Sequence, residues 1–152
     1  MIIKRYYKVL FLFFYFLIIE SNFASNILEK YKTSYMCVNK KKICFKLKVA
    51  DTEEKRRIGL MHIKSMDNFD GMIFLYGSPS IVNIWMLNTF VNLDLVFLKD
   101  QIITKIVENA EPCLMKPCRI YSHDQSIDSL LELKAGYVSK YNLLVGDKVY
   151  SF

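Results

Sequence analysis

The sequence lacks most of the signatures that announce an activity. Its five glycines are too widely spread to form a phosphate-cradling loop. There is no Gly-x-Ser-x-Gly elbow, so the α/β-hydrolase signature is missing. No Cys-x-x-Cys stands at a helix start to depress a thiol pKa. Histidine is limited to His62 and His123. A Ser122–His123–Asp94 set can be written on paper, but adjacent residues seldom form such a triad. The longest apolar run, Val9–Ile19, has eleven residues, short of the ~20 that span a bilayer. The aromatic–basic pattern of a DNA or RNA reader is missing too, so nucleic acid is not an expected partner.

What is present begins with a targeting segment. Lys4, Arg5 and Lys8 precede the apolar run, and Ala24 and Ser25 follow it. This is the layout of a secretory signal peptide, residues 1–24. The alternative is an uncleaved anchor to the inner membrane through residues 1–20. The protein is therefore expected to be exported, periplasmic or secreted. Residues 35–152 are expected to form a single β-rich domain. Loss of residues 1–24 would lower the net charge from +6 to +4. The early lysines, Lys30 to Lys48, read as a solvated face.

The four cysteines, Cys37, Cys44, Cys113 and Cys118, all follow that segment. In an exported chain an even count suggests disulfides. The stretch YMCVNKKKICFKLKV reads as a hairpin, and a turn centred on Lys40–Lys41 puts Cys37 opposite Cys44. Cys113 and Cys118 bracket a short Leu-Met-Lys-Pro loop. The favoured pairs are Cys37–Cys44 and Cys113–Cys118. Cys113, Cys118 and His123 give only three zinc ligands, so neither a metal nor a cofactor is expected.

Further along, Asp51 and Glu54 have the spacing of a capping box before a short helix, Thr52–Leu60, with Gly59 as its stop. Strands are expected over Phe69–Tyr76, Ile81–Met86, Leu93–Lys99, the IITKIVEN stretch, Ser129–Leu133 and the terminal KVYSF. Gly77–Ser80 reads as a turn, Asp100–Gln101 as a tight hairpin, and Glu111–Gln125 as loop. Ala135–Tyr141 reads as a second short helix. Met61, Met72 and Met86 read as core fillers. Short strands with one or two short helices imply a mainly β fold, a sandwich or barrel.

Five stretches then resemble a known family, in its order: VADTEEKRRIGLM, DGMIFLY, IWMLNTFVNLDLVFL, ENAEPCLMKPC and LELKAGYVSKYNLLVGDKV. This is the domain-of-unknown-function 192 family of mostly bacterial and archaeal, often exported proteins. The similarity runs from about Ile43 to Val149. Two positions depart from the family pattern: Leu87 replaces a usual Lys, and Asn92 stands where Pro is common. The resemblance implies a compact, jelly-roll-like β sandwich or barrel. It brings no established activity.

The candidate site rests on one physical oddity. Asn88, Thr89, Asn92 and Asp94 interrupt an apolar stretch that also holds Trp85, the only tryptophan. A buried polar group costs ~1–3 kcal/mol unless partnered. Donors for Asp94 could come from Arg56, Arg57 or the backbone. One reading is a rigid polar knot at a sheet end. The other is a ligand pocket built from Trp85, Asn88, Thr89, Asp94, Glu108 and Asn109. The expected function is a monomeric, non-enzymatic binding or accessory module for a small polar envelope ligand, a saccharide or peptide. The alternatives are a small hydrolase using Asp94 with Glu108 or His123, and a purely structural envelope protein.

Overall fold

The computed structural model describes residues 28–38 and 42–151. The chain divides into two compact units, Met1–Lys30 and Tyr31–Phe152. Of the first only residues 28–30 are described, two of them helical. The signal segment expected at residues 1–24 and the turn centre Lys40–Lys41 lie outside the described residues.

The second unit is mainly β. Its elements are β1 (Thr33–Val38), β2 (Ile43–Ala50), α1 (Glu53–Ile58), β3 (Gly71–Ser80), β4 (Asn83–Trp85), β5 (Leu93–Lys99), β6 (Ile102–Ala110), β7 (Ile120–Ser122), β8 (Ile127–Lys134), α2 (Tyr137–Tyr141) and β9 (Val149–Ser151). Seven strands form one sheet in the order β6-β5-β8-β3-β2-β1-β9, and β4 pairs with β7 apart from it. The pair β2–β3 is parallel and is connected through α1. The large sheet curls into a half-barrel whose edges meet at one end. There Val149 N–H donates to the Gln101 carbonyl (2.8 Å) and Ile103 N–H to that of Asp147 (3.0 Å). This contact covers part of both sheet edges, which would otherwise leave backbone groups unpaired.

Strand alternation gives the sheet two different apolar faces. Val96, Leu98, Leu131, Leu133, Ile73, Leu47 and Phe45 pack inside the curl with Val138 of α2. Met72, Phe74, Leu95, Phe97 and Leu130 point the other way and are also buried. Six of the seven residues of Leu93–Lys99 are buried, Asp94 among them, because both sides of the strand are covered. Gly71 lets β3 approach β8 closely. A Cβ there would lie 2.1 Å from the Glu132 carbonyl oxygen.

Most expected elements form, and the differences have local causes. Helix α1 is capped by Thr52, whose hydroxyl accepts from Lys55 N–H at 3.2 Å. Asp51 is not the cap; its carboxylate instead pairs with Lys55 Nζ at 2.6 Å. Gly59 ends the helix at φ 51. The expected turn Gly77–Ser80 is strand: β3 continues to Ser80, and a register shift after Leu75 absorbs the Gly-Ser-Pro stretch. The expected loop 111–125 contains β7, three residues paired with β4. Asp100 and Gln101 turn the β5–β6 hairpin with φ of 51 and 64, as a two-residue turn of matching twist requires. Both disulfides, Cys37–Cys44 and Cys113–Cys118, are formed. Cys37 and Cys44 are direct register partners. Among the described residues no helix is long and apolar enough to cross a membrane.

Candidate functional site

Asp94 lies in β5 opposite Leu133 of β8, on the face inside the curl. It is fully buried. Its Oδ1 accepts from Asn109 N–H and its Oδ2 from Val138 N–H, each at 2.9 Å. Asn109 has φ 53, which turns its N–H toward the carboxylate. Asn92 Nδ2 donates to Asn109 Oδ1 at 2.9 Å, and Ser139 Oγ donates to Glu108 Oε2 at 3.0 Å. Asp94 therefore ties β5, the end of β6 and the start of α2 together. The expected arginine donors are elsewhere. Arg56 Nη1 donates to the Leu75 carbonyl at 2.8 Å, and its guanidinium lies over the Tyr76 ring.

Trp85 and Thr89 belong to a different place, the outer face of the same sheet. There a cavity of about 390 Å³ lies between α1, β4 and the sheet. Arg56, Arg57 and Glu53 of α1 line it, with Leu60 and Met61 beyond the helix; Ile84 and Trp85 of β4 face them. Phe74 and Tyr76 of β3 and Glu132 of β8 complete the lining. Asn88, Asp94, Glu108 and Asn109 are not among its lining residues. The six candidate residues are thus divided between two faces. Asn88, at φ 54, shapes the loop through its backbone: its N–H donates to the Cys113 carbonyl and its carbonyl accepts from His62 N–H, both at 2.8 Å.

Glu132 is the residue the sequence reading missed. It stands on the central strand, paired with Leu95 on one side and Met72 on the other. It is 7% exposed and lines the cavity. Among the described residues nothing donates a hydrogen bond to its carboxyl group. Burial pushes its pKa up to about 8, because desolvation disfavours the charged form. Tyr76 is raised to about 12, first by burial and then by the neighbouring Glu132 charge, with Arg56 opposing. The signal was present in SLLEL, where one carboxylate sits among leucines of a buried strand. Thr89, 5% exposed, also lines the cavity, and its hydroxyl takes no hydrogen bond among the described residues.

Trp85 is 45% exposed. Lys116 Nζ, from the loop closed by Cys113–Cys118, lies 5.3 Å from its ring centre. The loop is pinned to the residue after Trp85, since Cys113 N–H donates to the Met86 carbonyl at 3.1 Å. His123 is buried edge-on to Phe97, on the outer face and away from Asp94. Its Nδ1 lies 2.6 Å from Asp124 Oδ1, which holds the Asp124 carboxyl below its ordinary range. Its Nε2 has no hydrogen-bond partner among the described residues. The residues of the hydrolase alternative do not converge: both Asp94 oxygens are engaged by backbone, and Glu108 bonds to Ser139 at the surface. Among the described residues no three His, Cys, Asp or Glu side chains converge on a point that could hold a metal ion.

No curated protein matches the sequence. Two solved structures resemble it. One, from Sinorhizobium meliloti 1021, is described as a "putative transcription regulator". It has a TM-score of 0.69 and 29% identity, over 80% of this chain and 95% of that one. The other is a protein of unknown function from Novosphingobium aromaticivorans DSM 12444. It also has a TM-score of 0.69, with 26% identity over 79% of this chain and 84% of that one. The family profile of DUF192, described as an uncharacterized group, matches residues 36–151. With the motifs, the curled sheet and nearly the whole second unit inside that match, the chain belongs to the DUF192 family.

Proposed function

We propose that the protein is a non-catalytic binding module of the cell envelope that holds a small polar ligand in the cavity beside Trp85. One observation carries this reading: a carboxyl group on a buried central strand receives no hydrogen bond among the described residues, and it opens onto a cavity. Holding a carboxyl group in so little contact with water disfavours its charged form, and a ligand that brings a donor relieves that cost. A perturbed titratable group in a cleft, walled by apolar and aromatic side chains, is the usual form of a binding site. The volume of about 390 Å³ lies within the range of small-ligand sites, ~300–1,000 Å³. An enzymatic reading has less support, because both Asp94 oxygens are taken by backbone N–H groups and, among the described residues, neither Glu108 nor His123 is hydrogen-bonded to it.

Export is supported by the signal-like segment and by two disulfides, which persist in oxidising compartments. The same disulfides weigh against carrying over the regulator description of the Sinorhizobium meliloti relative, since a DNA-bound protein works in a reducing compartment. The test is direct, because Trp85 is the only tryptophan. Titration with short peptides and with oligosaccharides should shift its emission for one class. Emission and melting temperature unmoved by either class would sink the proposal.

A further inference from the structure

We infer that the cavity captures the free amino terminus of a short peptide, with Glu132 receiving its ammonium group. The inference rests on the binding reading above and narrows it from a polar ligand to one chemistry. Glu132 lies on the floor of the cavity, with Leu95 and Met72 as its flanking strand partners, both fully buried. A donor that reaches it therefore comes through the cavity. The charged and titratable groups that line the same space are Glu53, Arg56 and Arg57 of α1 and Tyr76 of β3. The two arginines outweigh Glu53 on the helix side and disfavour a simple cation such as a polyamine. They favour a ligand that places carbonyl or carboxylate oxygens behind its amine. An acid at the floor, arginines on the helix side and apolar walls at Phe74, Leu60 and Ile84 match a free, apolar dipeptide in sign and order. Amine capture of this kind is a known mode of peptide recognition.

The proton balance follows. Burial alone holds the Glu132 pKa near 8, and a peptide amino terminus titrates at about 7.7–8.0. Below that range the free acid is neutral and the amine charged, so forming the ion pair releases a proton from Glu132. Above it the carboxylate is charged and the amine neutral, so binding takes up a proton onto the amine. Affinity should peak near pH 8, and the proton count should change sign there.

The experiment uses Trp85 emission and calorimetry in buffers of different ionisation enthalpy. Leucyl-leucine should bind, and its N-acetyl derivative should bind at least about tenfold more weakly, as expected for a charged hydrogen bond. That arm needs no variant. Glu132→Gln, which keeps the side-chain shape, should erase the distinction between the two. Putrescine and leucyl-leucinamide should both bind more weakly than leucyl-leucine. Equal binding of the acetylated dipeptide, or no proton exchange on either side of pH 8, overturns the inference. Equal binding of putrescine overturns the peptide assignment, and equal binding of the amide replaces a free peptide with the end of a longer chain. Binding of diacetylchitobiose alone overturns this inference but leaves the binding function standing. Binding of none of these probes removes both.

Discussion

Asp94 and Glu132 are carboxylates on neighbouring strands of one sheet, both buried, and their surroundings are opposite. Asp94 points into the curl and has a backbone N–H for each oxygen. Glu132 points outward to the cavity and has none among the described residues. A carboxylate satisfied by the fold's own backbone joins elements and offers nothing to a visitor. A carboxyl left unsatisfied beside a cavity costs stability, and a ligand that supplies the donor relieves it. Asp147 repeats the first pattern, with its Oδ2 accepting from Leu144 N–H at 2.9 Å in the turn before β9. Burial alone therefore does not mark a site; a titratable group that lacks an internal donor and opens onto a cavity does.

The sharpest way to break the comparison is to remove the charge from Asp94. Asp94→Asn keeps the shape, but its amide can accept only one of the two backbone N–H groups and turns a donor toward the other. We expect a loss of about 2–4 kcal/mol in denaturant unfolding. Trp85 emission in the native state should be unchanged, because the indole is on the other face. A stability equal to that of the wild type would mean that the two backbone bonds do not hold the corner.

Much of this first corner was legible in the sequence. Asp94 and Val96 in an alternating strand had to share a face, so a buried carboxylate in need of donors followed from spacing alone. What spacing did not supply was the identity of the donors, since Asn109 and Val138 are 15 and 44 residues away. The hairpin at Asp100–Gln101 and the Cys37–Cys44 pair were legible because each is decided within a few residues. Thr52 and Asp51 both satisfy local capping rules, and only the fold selects Thr52. The cavity was not legible as a unit. Its lining comes from positions 53 to 132, and its key acid lies in a stretch, Ser129–Leu133, whose pattern reads only as a strand and does not say which face Glu132 takes.

The Cys113–Cys118 loop offers a smaller perturbation confined to the Trp85 side. Replacing both with serine, Cys113→Ser with Cys118→Ser, avoids a stray thiol. Opening so short a loop should cost about 2 kcal/mol without reductant. It should also change Trp85 emission, because Cys113 is hydrogen-bonded to the backbone of Met86 and Asn88, which closely follow Trp85 in the chain. Asp94's corner should be untouched, so amide exchange at Asn109 and Val138, referenced to global stability, should stay as in the wild type. Faster exchange at those two amides than global destabilisation explains would show that the faces are coupled, and the contrast between them would lose its force.

The smallest expected effect has the opposite sign. Glu132 titrates near 8 in the folded protein against 4.5 ordinarily, so the native state holds this proton more tightly than the unfolded chain. Its favourable contribution is complete below about pH 4.5 and is lost as the pH rises through about 8. Glu132→Gln removes that dependence, because an amide has no proton to lose. At pH 5 the variant and the wild type should agree within about 0.5 kcal/mol. At pH 8.5 the variant should be the more stable by about 1–2 kcal/mol, water entering the cavity keeping the gain modest. The rest of the protein titrates alike in both, so the difference between the two stability curves isolates this one group. A difference that does not grow between pH 5 and pH 8.5 would mean that Glu132 is as well satisfied as Asp94, and the cavity would lose the feature that sets it apart.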